Sequence, residues 1–216
     1  MVIRMPLCQH KGAGAQHSLT APVSWLSHVP GLRVVAPAFP YDVKGLFKAA
    51  VREPNPVVFF EHVELYRRWN KSVVPEQDYV VPIGKGEVKT EGSDISIVSY
   101  SLGSHRSLQA AALLKDKGVN AEVIDLRTLS PLDKDLVLKS CRKTGRLVIV
   151  DLDFKTGGIS AELGSLAAEE TLYSLVAPVR RVASSDVPVP FSPALENLAF
   201  PQVDEIVKAS MEIIKS

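Results

Sequence analysis

The sequence predicts an α/β fold of two domains, the second carrying a mostly parallel sheet. Three observations lead there. After residue 93, short β-branched stretches alternate with helical stretches to the end of the chain. Before residue 66 the same alternation appears in abbreviated form. Between the two lies an irregular stretch, marked by Pro75, Pro82 and several charges. Strand–helix alternation sets parallel strands side by side and covers both faces with helices. The expected division is therefore residues 1–66, a linker at 67–92, and residues 93–216.

Each element has its own warrant. Val2-Ile3-Arg4 reads as the end of a buried strand, and residues 6–18 read as a loop. The apolar run 21–26, with Trp25, predicts a short helix, and 32–36 a buried strand. Asp42 is placed to cap a helix at 43–52, whose Val43, Leu46, Phe47 and Ala50 recur at helical spacing. Pro54 ends it, and 57–61 is the next strand. One short strand is expected inside the linker at 85–89. The second domain then runs strand 95–100, helix 104–117 closed by Gly118, and strand 120–125. Helix 133–143 lies before Gly145, followed by strand 146–151, helix 159–172 behind Gly157-Gly158, strand 179–183 and helix 203–214 after Pro201. Asp125-Leu126-Arg127 closes a strand, with charges able to pair across the domain interface.

Composition excludes several classes. The 216 residues carry a formal net charge of +1, with no basic surplus to meet nucleic acid and no acidic tail. No apolar run approaches the roughly 20 residues of a membrane helix. The opening residues are too short and mixed for a signal peptide, so no targeting segment is read there. Cys8 and Cys141 lack metal-ligand spacing and read as reduced thiols.

The segment Gly12-Ala13-Gly14-Ala15-Gln16-His17-Ser18 singles itself out. Glycines allow turns where side chains would clash, and a histidine held there exchanges protons near neutral pH. On chemistry alone, a solvated loop histidine remains the alternative. His28 reads as structural, beside the Pro30-Gly31 turn; His10, His62 and His105 have no assigned role. A Gly157-Gly158 pair opening a helix could offer free N–H groups to an anion, but such pairs are common.

The order of motifs adds to this. Gly14-Ala15-Gln16-His17-Ser18 is followed by His28-Val29-Pro30-Gly31-Leu32-Arg33-Val34-Val35 and by Pro40-Tyr41-Asp42-Val43-Lys44-Gly45-Leu46. Then come Pro54-Asn55-Pro56-Val57-Val58-Phe59-Phe60-Glu61, Leu65-Tyr66-Arg67, Val123-Ile124-Asp125-Leu126-Arg127-Thr128-Leu129, Lys143-Thr144-Gly145-Arg146 and Gly157-Gly158. The series resembles the beta subunit of the thiamine-diphosphate-dependent 2-oxo acid dehydrogenases, the pyruvate, branched-chain and acetoin enzymes. The resemblance covers almost the whole chain.

That resemblance implies the C-terminal half of a pyrimidine-binding domain followed by a transketolase C-terminal-like domain. It implies oxidative decarboxylation of a small 2-oxo acid, with acyl transfer to lipoamide on a dihydrolipoamide acyltransferase core. An alpha subunit would carry the diphosphate and its magnesium, and a second beta subunit would complete a heterotetramer. His17 would face the reactive carbon of thiamine diphosphate. Carbonyls at Val2, Ala50, Glu53 and Asn55 would hold a potassium ion bracing the loop of the histidine, since carbonyl oxygens replace that ion's hydration shell. The helix end around Ala50 has a plain reading too, as a terminus stopped by Pro54. The compartment implied is the mitochondrial matrix in a eukaryote and the cytoplasm in a bacterium.

Departures from the pattern are specific. Leu19-Thr20-Ala21-Pro22 and Cys8-Gln9-His10-Lys11 replace the usual wording, and the stretch between His17 and His28 is one residue longer. The family's strand-end glutamate and the aromatic residue packing on the cofactor's pyrimidine ring find no match. The chain is therefore expected to be N-terminally truncated, a split-gene piece or a degenerate copy. Two alternatives to an enzyme subunit of this kind are a non-catalytic subunit-interaction module and a related transketolase-like enzyme.

Overall fold

A computed structural model describes residues 1–7, 14–17, 23–67 and 73–215. The first part comprises β1 (Val2–Leu7), the helical turn α1 (Gly14–His17), α2 (Val23–Ser27), β2 (Arg33–Val35), α3 (Pro40–Arg52) and β3 (Val57–His62). A 3-10 turn, Val63–Arg67, follows. The second part comprises β4 (Glu87–Thr90), β5 (Ile95–Ser99), α4 (Leu102–Lys115), β6 (Ala121–Asp125), β7 (Thr128–Ser130), α5 (Lys134–Thr144) and β8 (Leu147–Phe154). It ends with α6 (Ile159–Thr171), β9 (Arg180–Ser184), α7 (Pro193–Ala199) and α8 (Val203–Ile214).

The strands form two sheets, ordered β1-β3-β2-β7 and β4-β6-β5-β8-β9. β1, β3 and β2 run parallel, as do β6, β5, β8 and β9, while β7 and β4 are antiparallel closures at the ends. The expected α/β class with mostly parallel sheets is what the chain adopts. β3 shows the two-residue period of a strand buried on both faces. Val57 and Phe59 pack with Leu46 and Ala50 of α3, whereas Val58 and Phe60 face Tyr100, Leu126 and Leu163 of the second part. One core thus continues from the first sheet into the second. The other face of the second sheet packs on α4 and α8 through Ala110, Leu114, Ile206 and Ile213.

Three expectations need correction. β1 leaves Ile3 and Arg4 exposed and is not a buried strand, because among the described residues only β3 pairs with it. Asp42 does not cap its helix. Pro40, with φ preset for the first turn, starts α3 early, and Phe39 occupies the cap. The stretch 6–18 is not all loop, since β1 extends to Leu7 and a helical turn spans Gly14–His17; residues 8–13 and Ser18 lie outside the described residues. The short strand expected inside the linker at 85–89 is present as β4, which pairs with β6. Two elements went unforeseen. α7 is one; the other is β7, which belongs to the second part by sequence yet pairs with β2 of the first sheet.

The crossover to β7 explains the fate of Asp42, which is fully buried. Its Oδ1 lies 2.6 Å from an Arg127 Nη2, and its Oδ2 lies 3.3 Å from Lys89 Nζ. Glu87 of β4 pairs with both cations. Arg127 therefore does pair across the interface, as its position at a strand end predicts. Its φ is +58°, a left-handed value that L side chains rarely adopt. The backbone is tied on both sides there, its N–H donating to Asp125 Oδ1 at 3.3 Å and its carbonyl accepting from Ala36 N–H at 2.8 Å.

A buried carboxylate stripped of its cation carries the full cost of desolvation. Arg127→Met keeps much of the stem and removes the charge, and is expected to lower unfolding free energy by about 3–5 kcal/mol. Urea denaturation measures this, and a loss under about 1 kcal/mol would show that Lys89 alone neutralises Asp42.

Candidate functional site

Parallel strands end together, so Leu7 of β1, His62 of β3 and Val35 of β2 share the carboxyl edge of the first sheet. Ligands of open α/β sheets bind outside such edges. A cavity of 290 Å³ opens there, lined by Pro37, Phe39, Val43, His62, Leu65 and Tyr66 among others. At its rim, Glu61 accepts from Arg4, 2.7 Å away, and from the Tyr66 hydroxyl at 2.8 Å. Burial, with the Glu61 hydrogen bond behind it, pushes the Tyr66 phenol up to about 12. His62 Nδ1 accepts from the Glu64 N–H at 3.2 Å, and His105 Nε2 is 2.8 Å from the Ala38 carbonyl with its ring against Phe39.

The segment carrying His17 leaves β1 at this same edge. His17 ends the helical turn Gly14–His17, and its side chain lies outside the described residues. Gly14 has φ +63°, and a methyl group on it would sit 3.2 Å from the Phe191 ring. Beyond His17, α2 meets the second part of the chain: the Ser24 N–H and hydroxyl both donate to Asp153 Oδ2, at 3.0 and 2.7 Å. His28 is exposed at the end of α2, where its N–H donates to the Ser24 carbonyl at 3.0 Å. His10 lies outside the described residues.

Of the four positions expected at a cation, Val2 lies at the opposite, amino edge, while Ala50, Glu53 and Asn55 lie at the end of α3 and in the turn that leads into β3. Val2 is in register with Val57, two residues beyond Asn55. Arg33, also in register with Val57, reaches Glu53 Oε1 at 3.4 Å, and Asn55 Nδ2 donates to the same oxygen at 2.8 Å. That amide bond, chiefly, holds the Glu53 carboxyl below its usual range. Four residues after Ala50 stands Pro54, which has no N–H. The Ala50 carbonyl accepts instead from Glu53 N–H, at 3.3 Å. Among the described residues, no group of histidine, cysteine, aspartate and glutamate side chains is arranged to hold a metal ion.

Sequence reading missed the buried carboxyls of β8, Asp151 and Asp153. Asp151 accepts from the Tyr100 hydroxyl at 2.8 Å and from Ser160 N–H at 2.7 Å. The first turn of α6 behind Gly157-Gly158, weighed as an anion site, thus already gives an N–H to a carboxyl of the same chain. A Cβ at Gly158 would lie 2.2 Å from the Phe154 carbonyl, which explains that glycine. The signal for the β8 pair was present in Asp151-Leu152-Asp153, two carboxyls on one face of an otherwise apolar strand. Their partners lie too far along the chain for any local pattern to show.

Comparison with known proteins fits this geometry. Residues 1–68 match the transketolase pyrimidine binding domain, and residues 84–206 match the transketolase C-terminal domain. The chain belongs to the transketolase family. It is 41% identical over 214 residues to the 2-oxoisovalerate dehydrogenase subunit beta of Bacillus subtilis. It is 43% identical over 212 residues to the mitochondrial pyruvate dehydrogenase E1 component subunit beta-2 of Oryza sativa. It is 43% identical over 216 residues to the acetoin:2,6-dichlorophenolindophenol oxidoreductase subunit beta of Cupriavidus necator. These alignments take in 99, 97 and 100% of the chain but 65, 56 and 63% of the relatives, so the chain spans less than two thirds of each. Among solved structures, a split-gene transketolase described as an inactive beta4 tetramer aligns with TM-score 0.79 and 26% identity, over 99% of this chain and 66% of that one. A transketolase from Pichia stipitis shares the fold at TM-score 0.65 and 13% identity, over 94% of this chain and 28% of its own.

Asp125, buried at the end of β6, gives the stability of the chain a pH dependence. Burial, offset by the Ser104 hydroxyl bond and reinforced by Asp42, raises its carboxyl to about 7. A carboxyl raised on folding stays protonated where the unfolded chain has already ionised. Its contribution to stability is therefore full below about pH 4 and is lost as pH rises through about 7. Asp125→Asn is neutral throughout. The variant is expected to gain on the parent chain by on the order of 3 kcal/mol between about pH 4.5 and 8, checked by urea denaturation across that range. A pH-independent difference would show that Asp125 titrates normally.

Proposed function

We propose that the chain is the beta-subunit portion of a 2-oxo acid dehydrogenase first component, acting with an alpha subunit. One observation carries this: an alignment of nearly the whole chain, at 41–43% identity, to beta subunits named for 2-oxoisovalerate, pyruvate and acetoin. Similar identity to all three leaves the substrate at the level of a class, small 2-oxo acids and their relatives. The assembly proposed is a heterotetramer with a second beta subunit, docking on a dihydrolipoamide acyltransferase core. Relatives named as mitochondrial or belonging to bacteria support the matrix or the bacterial cytoplasm, and no helix among the described residues is long and apolar enough to cross a membrane.

Thiamine diphosphate is the proposed cofactor, and the residues present fit a share of it. The carboxyl edge of β1, β3 and β2, with its apolar cavity and with the His17 segment leaving beside it, offers a wall for an aromatic ring. His17 is the residue of this chain proposed at the cofactor; the diphosphate and magnesium are assigned to the alpha subunit. When bound, the cofactor supplies the carbanion chemistry and the electron sink. The part of this chain is to present an imidazole that gives and takes protons, and to keep water from the reacting atoms. Potassium at the Val2, Ala50, Glu53 and Asn55 carbonyls would act at a distance. Val2 precedes Leu7 by five strand positions, about 17 Å, so the ion would fix the root of β1 rather than the loop itself.

A second reading has one observation behind it. The split-gene transketolase at TM-score 0.79 is described as an inactive beta4 tetramer, which supports an interaction module assembling without chemistry. Reconstitution separates the two. Mixed with alpha subunits, the chain is expected to decarboxylate a 2-oxo acid. His17→Ala should then lower turnover by about 10²–10⁴-fold at saturating cofactor, with cofactor affinity nearly unchanged. Inactivity with every alpha subunit, alongside tetramers of the chain alone, would favour the module. The ion has its own check: thermal unfolding in potassium chloride is expected at higher temperature than in sodium chloride of equal ionic strength, and equal midpoints would remove the site.

A further inference from the structure

We propose that Asp153 is a positioning residue for His17, acting from the second domain by capping α2; the proposal rests on the reading of His17 given above. α2 has five residues, too few to hold a helix without outside help, and its first N–H groups have no partners within it. Asp153 answers this across 129 positions of sequence, its Oδ2 accepting from both the N–H and the hydroxyl of Ser24. The carboxylate is itself fixed. It is 3% exposed, and its Oδ1 accepts from the Phe154 N–H at 2.8 Å, which aims Oδ2 at α2. Its own N–H donates to Asp151 Oδ1 at 3.0 Å. Asp151 is held in turn by Tyr100 at the end of β5 and by Ser160 at the start of α6.

The second domain also touches the segment on the near side of His17, where Gly14 lies against Phe191. His17 is therefore bracketed, three positions after one contact and seven before the other. Described residues on either side of His17 thus meet the second part of the chain, Gly14 at Phe191 and Ser24 at Asp153 near the carboxyl end of β8. A displacement of about 1 Å at a reacting group can cost 10²-fold in rate, so such a cap matters to turnover even though it touches no substrate.

The test has two arms. In the isolated chain, Asp153→Ala is expected to speed hydrogen exchange at the Val23–Ser27 amides by about tenfold or more, with β5 and β8 protection unchanged. Asp153→Asn, which keeps an acceptor, should restore much of it, and Ser24→Ala, which keeps the N–H bond, should give a smaller change in the same direction. In the complex reconstituted with an alpha subunit, Asp153→Ala should lower kcat about 10–100-fold with cofactor affinity held within about twofold, and should cause no further loss in a His17→Ala background. Unchanged exchange in Asp153→Ala overturns the cap. An equal loss of kcat in both backgrounds overturns the positioning role. Normal turnover of His17→Ala alone overturns instead the reading of His17, and the exchange result then marks Asp153 as a structural cap only.

Discussion

The pairing of Asp42 with Arg127 governs how the two sheets meet. Neither residue could be buried alone, since an isolated ion in a protein interior costs several kcal/mol even after relaxation. Asp42 lies in the first turn of α3, and Arg127 stands between β6 and β7. Joining them brings the hinge between those strands against the first sheet, and β7 follows into register beside β2. Lys89 and Glu87 extend the pair into β4, so the edge strand of the second sheet is held by the same charges. A continuous apolar core then forms behind this polar seam.

The class of fold was legible because periodicity is local. β5, α4, β6, α5, β8, α6, β9 and α8 all stand within a few residues of where β-branched runs, glycine stops and helical spacing put them. What was not legible depends on partners far away. Nothing around Thr128–Ser130 announces a strand, since three residues acquire that identity only by lying beside β2. Asp42 looked like a cap because caps are the commonest use of aspartate before a helical run; its true partner is 85 positions later. The Ser24–Asp153 contact was hidden for the same reason. Of the site, the sequence showed the motif around His17, while the carboxyl edge and amino edge that set it apart from the Ala50–Asn55 helix end emerge from sheet register.

The two ends of the first sheet divide the work proposed for it. Its carboxyl edge bears an apolar cavity and the root of the His17 segment, and its amino edge adjoins the turn from α3 into β3. The second domain, which a division by sequence would leave outside the chemistry, reaches that segment through Asp153 and Phe191.

The insertion of β7 into the first sheet bears on how the molecule is made. A ribosome delivers residues in order, and β1, β3 and β2 are all available once Val57–His62 has emerged. Yet β2 lacks its outer neighbour until residue 130 has cleared the tunnel, by which time β4, β5 and β6 are also out. During that interval the unpaired outer edge of β2 faces solvent, a template for any passing extended chain. The nascent first domain is thus obliged to wait for a piece of the second, and the period of greatest exposure to chaperones and to aggregation falls between those two points of synthesis.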